Sequence, residues 1–239
     1  MSWVVALLTT LLIVAIIYWL FVVSEGVYLG SRVVIALYDR SAGEYDEIKG
    51  VMPHQDAIHL ARPLLEALQG EGGASGGPAV ASVVLDVATG TARMPLALLR
   101  QFDFDGKVVG LDLSAPMLGV AQRRLRNHKH RVAWVLDTAG RLPFADQAFH
   151  AVTCIEALEL LPNPEQSLAE MVRVLRPGGW LMITNRVGVD GFFYPGHAFR
   201  RTTLESKLRS LGLADVGTRR WQPHYDLLDA RKRAKSLAE

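Results

Sequence analysis

From Trp3 to Val23 the chain reads WVVALLTTLLIVAIIYWLFVV, with no charged position and no polar face. As a helix this run spans ~31 Å, close to the ~30 Å of a hydrocarbon core, so the pattern predicts a single transmembrane helix. Its Val, Leu, Ile and Phe content favours insertion by about 4–8 kcal/mol, an upper bound because end positions count less. Trp3, Tyr18 and Trp19 lie near the two ends, where amphipathic rings favour the interface. A cleaved signal peptide would carry basic residues ahead of a shorter apolar core, and here no Lys or Arg precedes the run. A buried core helix is rarely apolar all round over such a length. Arg32 and Arg40 follow the run, which predicts a cytoplasmic body on its C-terminal side. Residues 27–38 are also apolar-rich; they either lie in the interface or pack as a helix on the body.

Beyond this segment, short apolar runs alternate with helical periodicity. Ala57, Ala61, Leu64, Leu65 and Leu68 share one face of a helix over 54–69. The stretch GEGGASGGP at 70–78 has almost no side chains to pack and reads as a flexible linker. Strands are expected at 81–88, 107–113, 131–137, 150–157 and 180–185; the first of these is near-continuously apolar, as a strand covered on both faces should be. Helices are expected over 91–102, from the N-cap Ser114 to about Asn127, and over 203–211. Another starts at Pro164, where Asn163 and Gln166 form a capping box, and runs past Leu168, Met171, Val172 and Leu175 to a stop at Pro177-Gly178-Gly179. LADVGTRRW and HYDLLDARK, split by Gln222-Pro223, predict a hairpin closing the sheet. The whole reads as an α/β chain in three parts: an anchor at 1–24, a helical arm or lid with its Gly-rich linker at 25–78, and a doubly wound, mostly parallel sheet domain at 79–239.

Composition narrows the class. In 239 residues, 50% are hydrophobic and 21% charged, which excludes disorder as the main state. A mean hydropathy of +0.18 is high for a purely soluble chain. The single cysteine excludes an internal disulfide and any cysteine-based zinc site, and no metal site is read. A net charge of +2 gives no electrostatic case for nucleic acid.

Candidate chemistry gathers at the predicted strand ends, where open α/β sheets bind ligands. The first strand ends in Asp86, followed by the small residues Ala88, Gly90 and Ala92, which let backbone approach a ligand closely. Asp86 faces that turn and is expected to receive a cationic or hydrogen-bond-donating group. The second strand ends in Asp112, 22 residues after Gly90, where a carboxylate grips a ribose diol. The third ends in Asp137, suited to an exocyclic amine, and the fourth at Glu156. The dinucleotide fingerprint fails because Arg93 takes its third glycine position, and there is no Gly-Lys-Ser/Thr P-loop. Three acids in this arrangement suit an amino-acid-bearing nucleoside better than a pyrophosphate.

These segments resemble the class I S-adenosylmethionine-dependent methyltransferases, in particular the ubiquinone/menaquinone-biosynthesis branch. VLDVATGTAR resembles that family's first motif and VVGLDLSAPML its second. LDTAGRLPFADQAFHAVTCIEALELLPN, EMVRVLRPGGWLMITN and YDLLDARK resemble its later blocks, so the likeness covers roughly residues 40–235. The resemblance implies a seven-stranded Rossmann-like fold and S-adenosylmethionine as cofactor. It implies that Asp86 and the 88–92 loop hold the methionine part, Asp112 the ribose, and Leu113 and Met117 the adenine face. It further implies Asp137 at the adenine amine with Thr138 beside it, and Ile155 and Glu156 bordering the cofactor. Two positions depart from the pattern: Ala92 replaces the usual last glycine and His150 the common aspartate before the fourth strand.

The acceptor is less defined. Glu156, Glu159 and His197 are the candidates for a general base, with Tyr45 and His54 on the arm and Tyr194 and Arg200 on the late loop also in range. Phe192, Phe193, Tyr194 and Phe199 are candidates for an apolar acceptor pocket. Tethering beside a bilayer favours a small lipophilic acceptor: a quinone precursor, an isoprenoid or a phospholipid head group. The basic runs 123–131 and 230–235 either touch anionic lipid or form solvated faces and helix ends. The competing readings are a catalytically silent, membrane-tethered assembly subunit and a tethered nicotinamide-dependent reductase; Arg93 speaks against the latter.

Overall fold

The computed structural model describes residues 2–70 and 82–234. Most of the 70–78 linker and the last residue of the basic run at 230–235 therefore lie outside the described residues.

Helix α1 (Ser2–Tyr18) continues through a π-helical turn, Trp19–Val23. Together they make a 22-residue apolar helix, long enough to cross a membrane, with none of its residues buried. This disposes of a core-helix reading. The hydroxyls of Thr9 and Thr10 donate to the carbonyls of Val5 and Ala6, both at 2.9 Å, so neither leaves a polar group unpaired in apolar surroundings. The base of this helix is docked. Tyr194 donates its hydroxyl to the Val23 carbonyl at 2.9 Å, and Trp19 stacks on Tyr28 with ring centroids 4.9 Å apart. Tyr28 in turn donates to the Pro195 carbonyl.

After Gly30 comes α2 (Ser31–Ser41), packed on the body. The short helices α3 (Tyr45–Ile48) and α4 (Pro53–Asp56) follow. A π-helical turn (Ala57–Ala61) then leads into α5 (Arg62–Gln69). Leu60, Leu64, Leu65 and Leu68 are buried together with sheet residues Val84, Val108, Met182 and Leu227. The boundary expected at residue 78 thus divides the sequence but not the core.

The sheet has seven strands in the order β3-β2-β1-β4-β5-β7-β6. They are β1 (Val83–Val87), β2 (Lys107–Asp112), β3 (Val132–Leu136), β4 (Phe149–Cys154), β5 (Leu175–Arg186), β6 (Leu213–Gln222) and β7 (Tyr225–Lys232). The first five are parallel, and β7 runs antiparallel between β5 and β6. Alternation along the strands builds one core on each face: Leu85, Val152 and Ile183 on one side, Val84, Ala151 and Met182 on the other. Helices α6 (Arg93–Leu99), α7 (Ala115–Arg124), α8 (Pro164–Val174), α9 (Gly188–Phe192) and α10 (Arg201–Ser210) complete the fold. The expected caps form: Ser114 Oγ accepts from Met117 N, and Asn163 Oδ1 from Gln166 N, both at 3.1 Å.

Several boundaries differ from expectation, two of them for a visible reason. Helix α6 begins at Arg93 because Ala92 is held at φ +68, outside helical backbone. Helix α8 ends at Val174, and Leu175 already pairs with Phe149 in the sheet. Pro177, Gly178 and Gly179 then fall in a register shift of β5, so the expected helix stop is a strand bulge. His150 accepts the Val83 amide at Nδ1 (3.1 Å). Of the basic run at 123–131, Arg131 donates to the Gly106 and Phe104 carbonyls, and Arg124 pairs with Asp46 of the arm; both are structural contacts.

Gly110 sits under the tightest packing near the strand ends. A Cβ there would meet the Trp134 ring at 2.6 Å and Thr89 Cγ2 at 3.0 Å. Gly110→Ala should therefore destabilise the fold by about 1–3 kcal/mol, the usual cost of overpacking. A thermal melt of the full chain in detergent checks this, and an unchanged midpoint would contradict it.

Candidate functional site

The topological switch lies between β1 and β4, because β1 continues leftward to β2 while β4 leads to β5. At the carboxyl ends of β1, β2 and β4 lies an open cleft, in the position where open α/β sheets bind ligands. Of the residues named from the sequence, Ala88, Gly90, Asp112, Leu113, Met117, Asp137, Ile155 and Glu156 all border it. Asp86 and Thr138 do not.

Asp112 organises the floor. Its Oδ2 accepts the Gly90 amide at 2.8 Å and its Oδ1 the Ser114 amide at 2.9 Å. Each carboxylate oxygen keeps a further lone pair for a ligand hydroxyl. Burial, outweighing those two amides, raises the pKa of this carboxyl. Gly90 is at φ +52, and the only atom within 4 Å of a Cβ built there is on the Tyr45 ring. Ala88 and Ala92 share this left-handed backbone, at φ +54 and +68. Non-glycine residues there are strained, which fits the glycine that the resemblance places at position 92.

Asp86 behaves differently from expectation. It lies beneath the loop rather than facing a ligand, with its oxygens accepting from Thr89 Oγ1 (2.6 Å) and Thr153 Oγ1 (2.5 Å). Its carboxylate fixes the loop's conformation. Thr138 is turned to an outer surface groove with Arg141 and Glu170. Asp137 remains at the cleft and receives the Thr138 amide on Oδ1.

The three candidate bases are distributed unevenly. Glu156 borders the cleft but accepts a 2.7 Å bond from Arg93, whose other side is clamped by Asp56 of α4 at 2.9 and 2.7 Å. Arg93, which broke the dinucleotide fingerprint, thus ties the arm to the end of β4. Glu159 is buried away from the cleft, accepting from Tyr225 at 2.6 Å and paired with Arg186 at 2.9 Å. Burial raises the pKa of its carboxyl despite Arg186. His197 lies edge-on to Tyr28, 5.6 Å between ring centroids, at the base of α1; burial lowers its pKa. Neither Glu159 nor His197 reaches the cleft, nor does His54, which is exposed on α4. The expected aromatic acceptor pocket does not form. Phe192 is 80% exposed, Tyr194 is at the foot of α1, and Phe199 packs on the main core.

The roof comes from the segment read as a helical arm or lid; of its lining residues only Tyr45 was named from the sequence. Ser31, Val34, Ile35 and Tyr38 of α2 line the cleft, which resolves the two readings of 27–38 in favour of packing on the body. Ser114 donates to Asp39, fastening this helix to the floor. Tyr45 also lines the cleft; its hydroxyl has no hydrogen-bond partner among the described residues, and burial pushes its pKa well up. Leu160, Leu161 and Pro162 close the far wall. The amphipathic period of 31–41 was the available signal. Among the described residues no cluster of three or more His, Cys, Asp or Glu is arranged to hold a metal ion.

The donor set fits the nucleoside its motifs imply: an acid for a diol, an acid for an amine, and Leu113, Met117 and Ile155 as apolar surface between. Comparison with known proteins agrees. The methyltransferase domain family matches residues 84–179. A demethylmenaquinone methyltransferase of Lactiplantibacillus plantarum is 32% identical over 62% of this chain and 60% of its own length. One from Renibacterium salmoninarum is 33% identical over 74% of this chain and 67% of its own. The chain thus spans about 60% of the length of the first of these relatives. Among solved structures, an S-adenosylmethionine-dependent methyltransferase from Aquifex aeolicus shares the fold, with a TM-score of 0.58, 19% identity, and coverage of 77% of this chain and 95% of that one.

The buried carboxyl of Asp86 gives a pH signature. Burial pushes it up to about 6 from an ordinary 3.8, against the two threonine hydroxyls that favour its charged form. A raised carboxyl pKa means the folded protein holds the proton where the unfolded chain has lost it. Its contribution to stability is therefore full below pH ~4 and falls as pH rises to ~6. Asp86→Asn lacks this loss, so its stability relative to the parent should rise between pH 4 and pH 7, by something on the order of 2–3 kcal/mol. Parallel melts across that range test it; a constant difference between the two proteins would contradict it.

Proposed function

The chain belongs to the class I S-adenosylmethionine-dependent methyltransferase family, related to its menaquinone branch, and from that premise we propose that it is a membrane-anchored enzyme methylating a small lipophilic acceptor. The observation that carries this reading is the Asp112 clamp on the floor of a cleft roofed by the apolar face of α2. Asp112 would hold the ribose hydroxyls, Asp137 the adenine amine, and Leu113, Met117 and Ile155 the adenine faces. The loop from Ala88 to Gly90 would border the methionine part. When bound, S-adenosylmethionine supplies a methyl group already activated on a sulfonium.

The chain's task is then alignment and exclusion of water. Val34, Ile35, Leu160 and Leu161 provide the apolar walls. Glu156 is engaged by Arg93, so its role here is to hold the end of β4 in position. Tyr45 offers the acceptor a hydroxyl with no other partner among the described residues. A quinone-type or other lipid acceptor agrees with two features. The relatives bear the name demethylmenaquinone methyltransferase, and the apolar helix Ser2–Val23 leads directly into the roof. We read that helix as a retained anchor because its last turn is locked to Tyr194 and Tyr28 of the body, and place the domain on the cytoplasmic side because Arg32 and Arg40 follow the helix.

Two outcomes are expected. Asp112→Ala removes the ribose contact and frees the Gly90 and Ser114 amides, so S-adenosylmethionine affinity should drop about 10- to 100-fold in calorimetry. Equal affinity would remove the ribose assignment. Carbonate-washed membranes containing the full chain, given methyl-labelled S-adenosylmethionine, should yield a labelled, solvent-extractable lipid. Cofactor binding with no labelled product would instead support a silent assembly subunit, and release of the protein by the wash would end the anchor reading.

A further inference from the structure

A second hollow, with about 720 Å³ of empty space, lies between the last turn of the membrane helix and helices α2 and α3. Its apolar walls are Phe21, Val22, Leu37 and Ile48. Phe21, Val22 and Ile48 are all largely exposed, at 46%, 56% and 62%. Its charged members neutralise each other. Glu25 accepts from Lys49 at 3.1 and 3.2 Å and from the Tyr38 hydroxyl, and Arg186 reaches it from β5 at 3.4 Å. Burial favours the neutral form of Glu25, but Lys49, Tyr38 and Arg186 outweigh this and hold its carboxyl below the usual range. No charge is left uncompensated to repel an apolar occupant.

Two residues, Tyr38 and Tyr45, line both this hollow and the cofactor cleft. Their rings are 5.8 Å apart. The two spaces therefore share a wall, and at that wall stands the hydroxyl of Tyr45, which has no hydrogen-bond partner among the described residues. The opposite end of the hollow opens beside Phe21 and Val22, where the apolar helix ends. The neighbouring segment adds Val189 and Phe192, 74% and 80% exposed, just before Tyr194 fastens to Val23.

We propose that this groove is the entry and binding site for the apolar chain of the lipid acceptor, and that it delivers the polar head to Tyr45 at the wall shared with the cofactor cleft. This rests on the methyltransferase reading above, and it adds the route. The chain passes from the bilayer along Phe21 and Val22 and between Leu37 and Ile48. Isoprenoid and acyl chains share the chemistry required, a long flexible hydrocarbon.

The test uses the full chain in phosphatidylcholine vesicles with two diazirine-bearing probes, a geranylgeranyl hydroquinone and a hexadecanoyl lipid. Photolabelling by either probe should concentrate on the peptides carrying residues 21–22 and 37–49, and the more efficient probe identifies the chain type. Ile48→Glu puts a charge in the groove on an exposed helix position, so folding is spared. It should cut labelling there about tenfold, whereas Ile48→Val retains it. S-adenosylmethionine affinity, measured on the same samples, should stay unchanged in both variants. Labelling spread evenly along the membrane helix, or insensitive to Ile48→Glu while the cofactor still binds, would overturn the groove. Failure of the parent protein to bind S-adenosylmethionine would overturn the reading of the cleft, independently of where the probes attach.

Discussion

A single carboxylate joins the two loops from which the candidate site is made. The sheet sets β1 and β2 side by side, with Asp86 opposite Gly110, but leaves the turns beyond their ends free to diverge. Asp112 removes that freedom by accepting one amide from each turn, at Gly90 and at Ser114. Hydrogen bonds to a charged acceptor contribute more than neutral ones, and two of them on one carboxylate hold strained backbone at Ala88 and Ala92. Asp86 acts one layer below, through Thr89 and Thr153. The floor of the cleft is a stack of two acids: the lower one shapes the loop and the upper one lines the cleft.

Around that floor, ion pairs lash the N-terminal arm to the body. Asp46 meets Arg124, Asp56 meets Arg93, and Glu25 meets Arg186. The pair at Asp56 is almost fully buried, so removing one partner would leave an uncompensated charge. Arg186 extends the connection inward to Glu159 and Tyr225. The foot of the apolar helix is thereby joined, through Glu25, to the ends of β5 and β7.

Much of this was legible in the chain itself. The order of strands and helices, both N-caps and the closing hairpin follow from periodicity and turn chemistry, which are local. Asp112, Asp137, Gly90 and Met117 were legible as residues of one cleft because strand ends converge in this topology. What escaped is long-range. Asp86 and Asp112 look alike in sequence, each an acid at a strand end, and only the threonine hydroxyl at 153, on another strand, turns one of them inward. Glu159 and His197 looked available because nothing in sequence announces Arg186 and Tyr225, or Tyr28. The bulge at Pro177-Gly178-Gly179 has the same residues as a helix stop. The lining residues of α2 went unnamed because an amphipathic helix after an apolar one fits an interface as well as a fold.

The roof also bears on how such a chain can change over generations. The conserved-domain match spans 84–179, and the floor residues from Ala88 to Ile155 fall inside it. Helix α2 and Tyr45, which face the floor from above, fall outside it. The Asp112 floor and the opposite wall are thus written in separate stretches of the gene product. Mutation can remodel the upper stretch while the lower stretch stays as inherited.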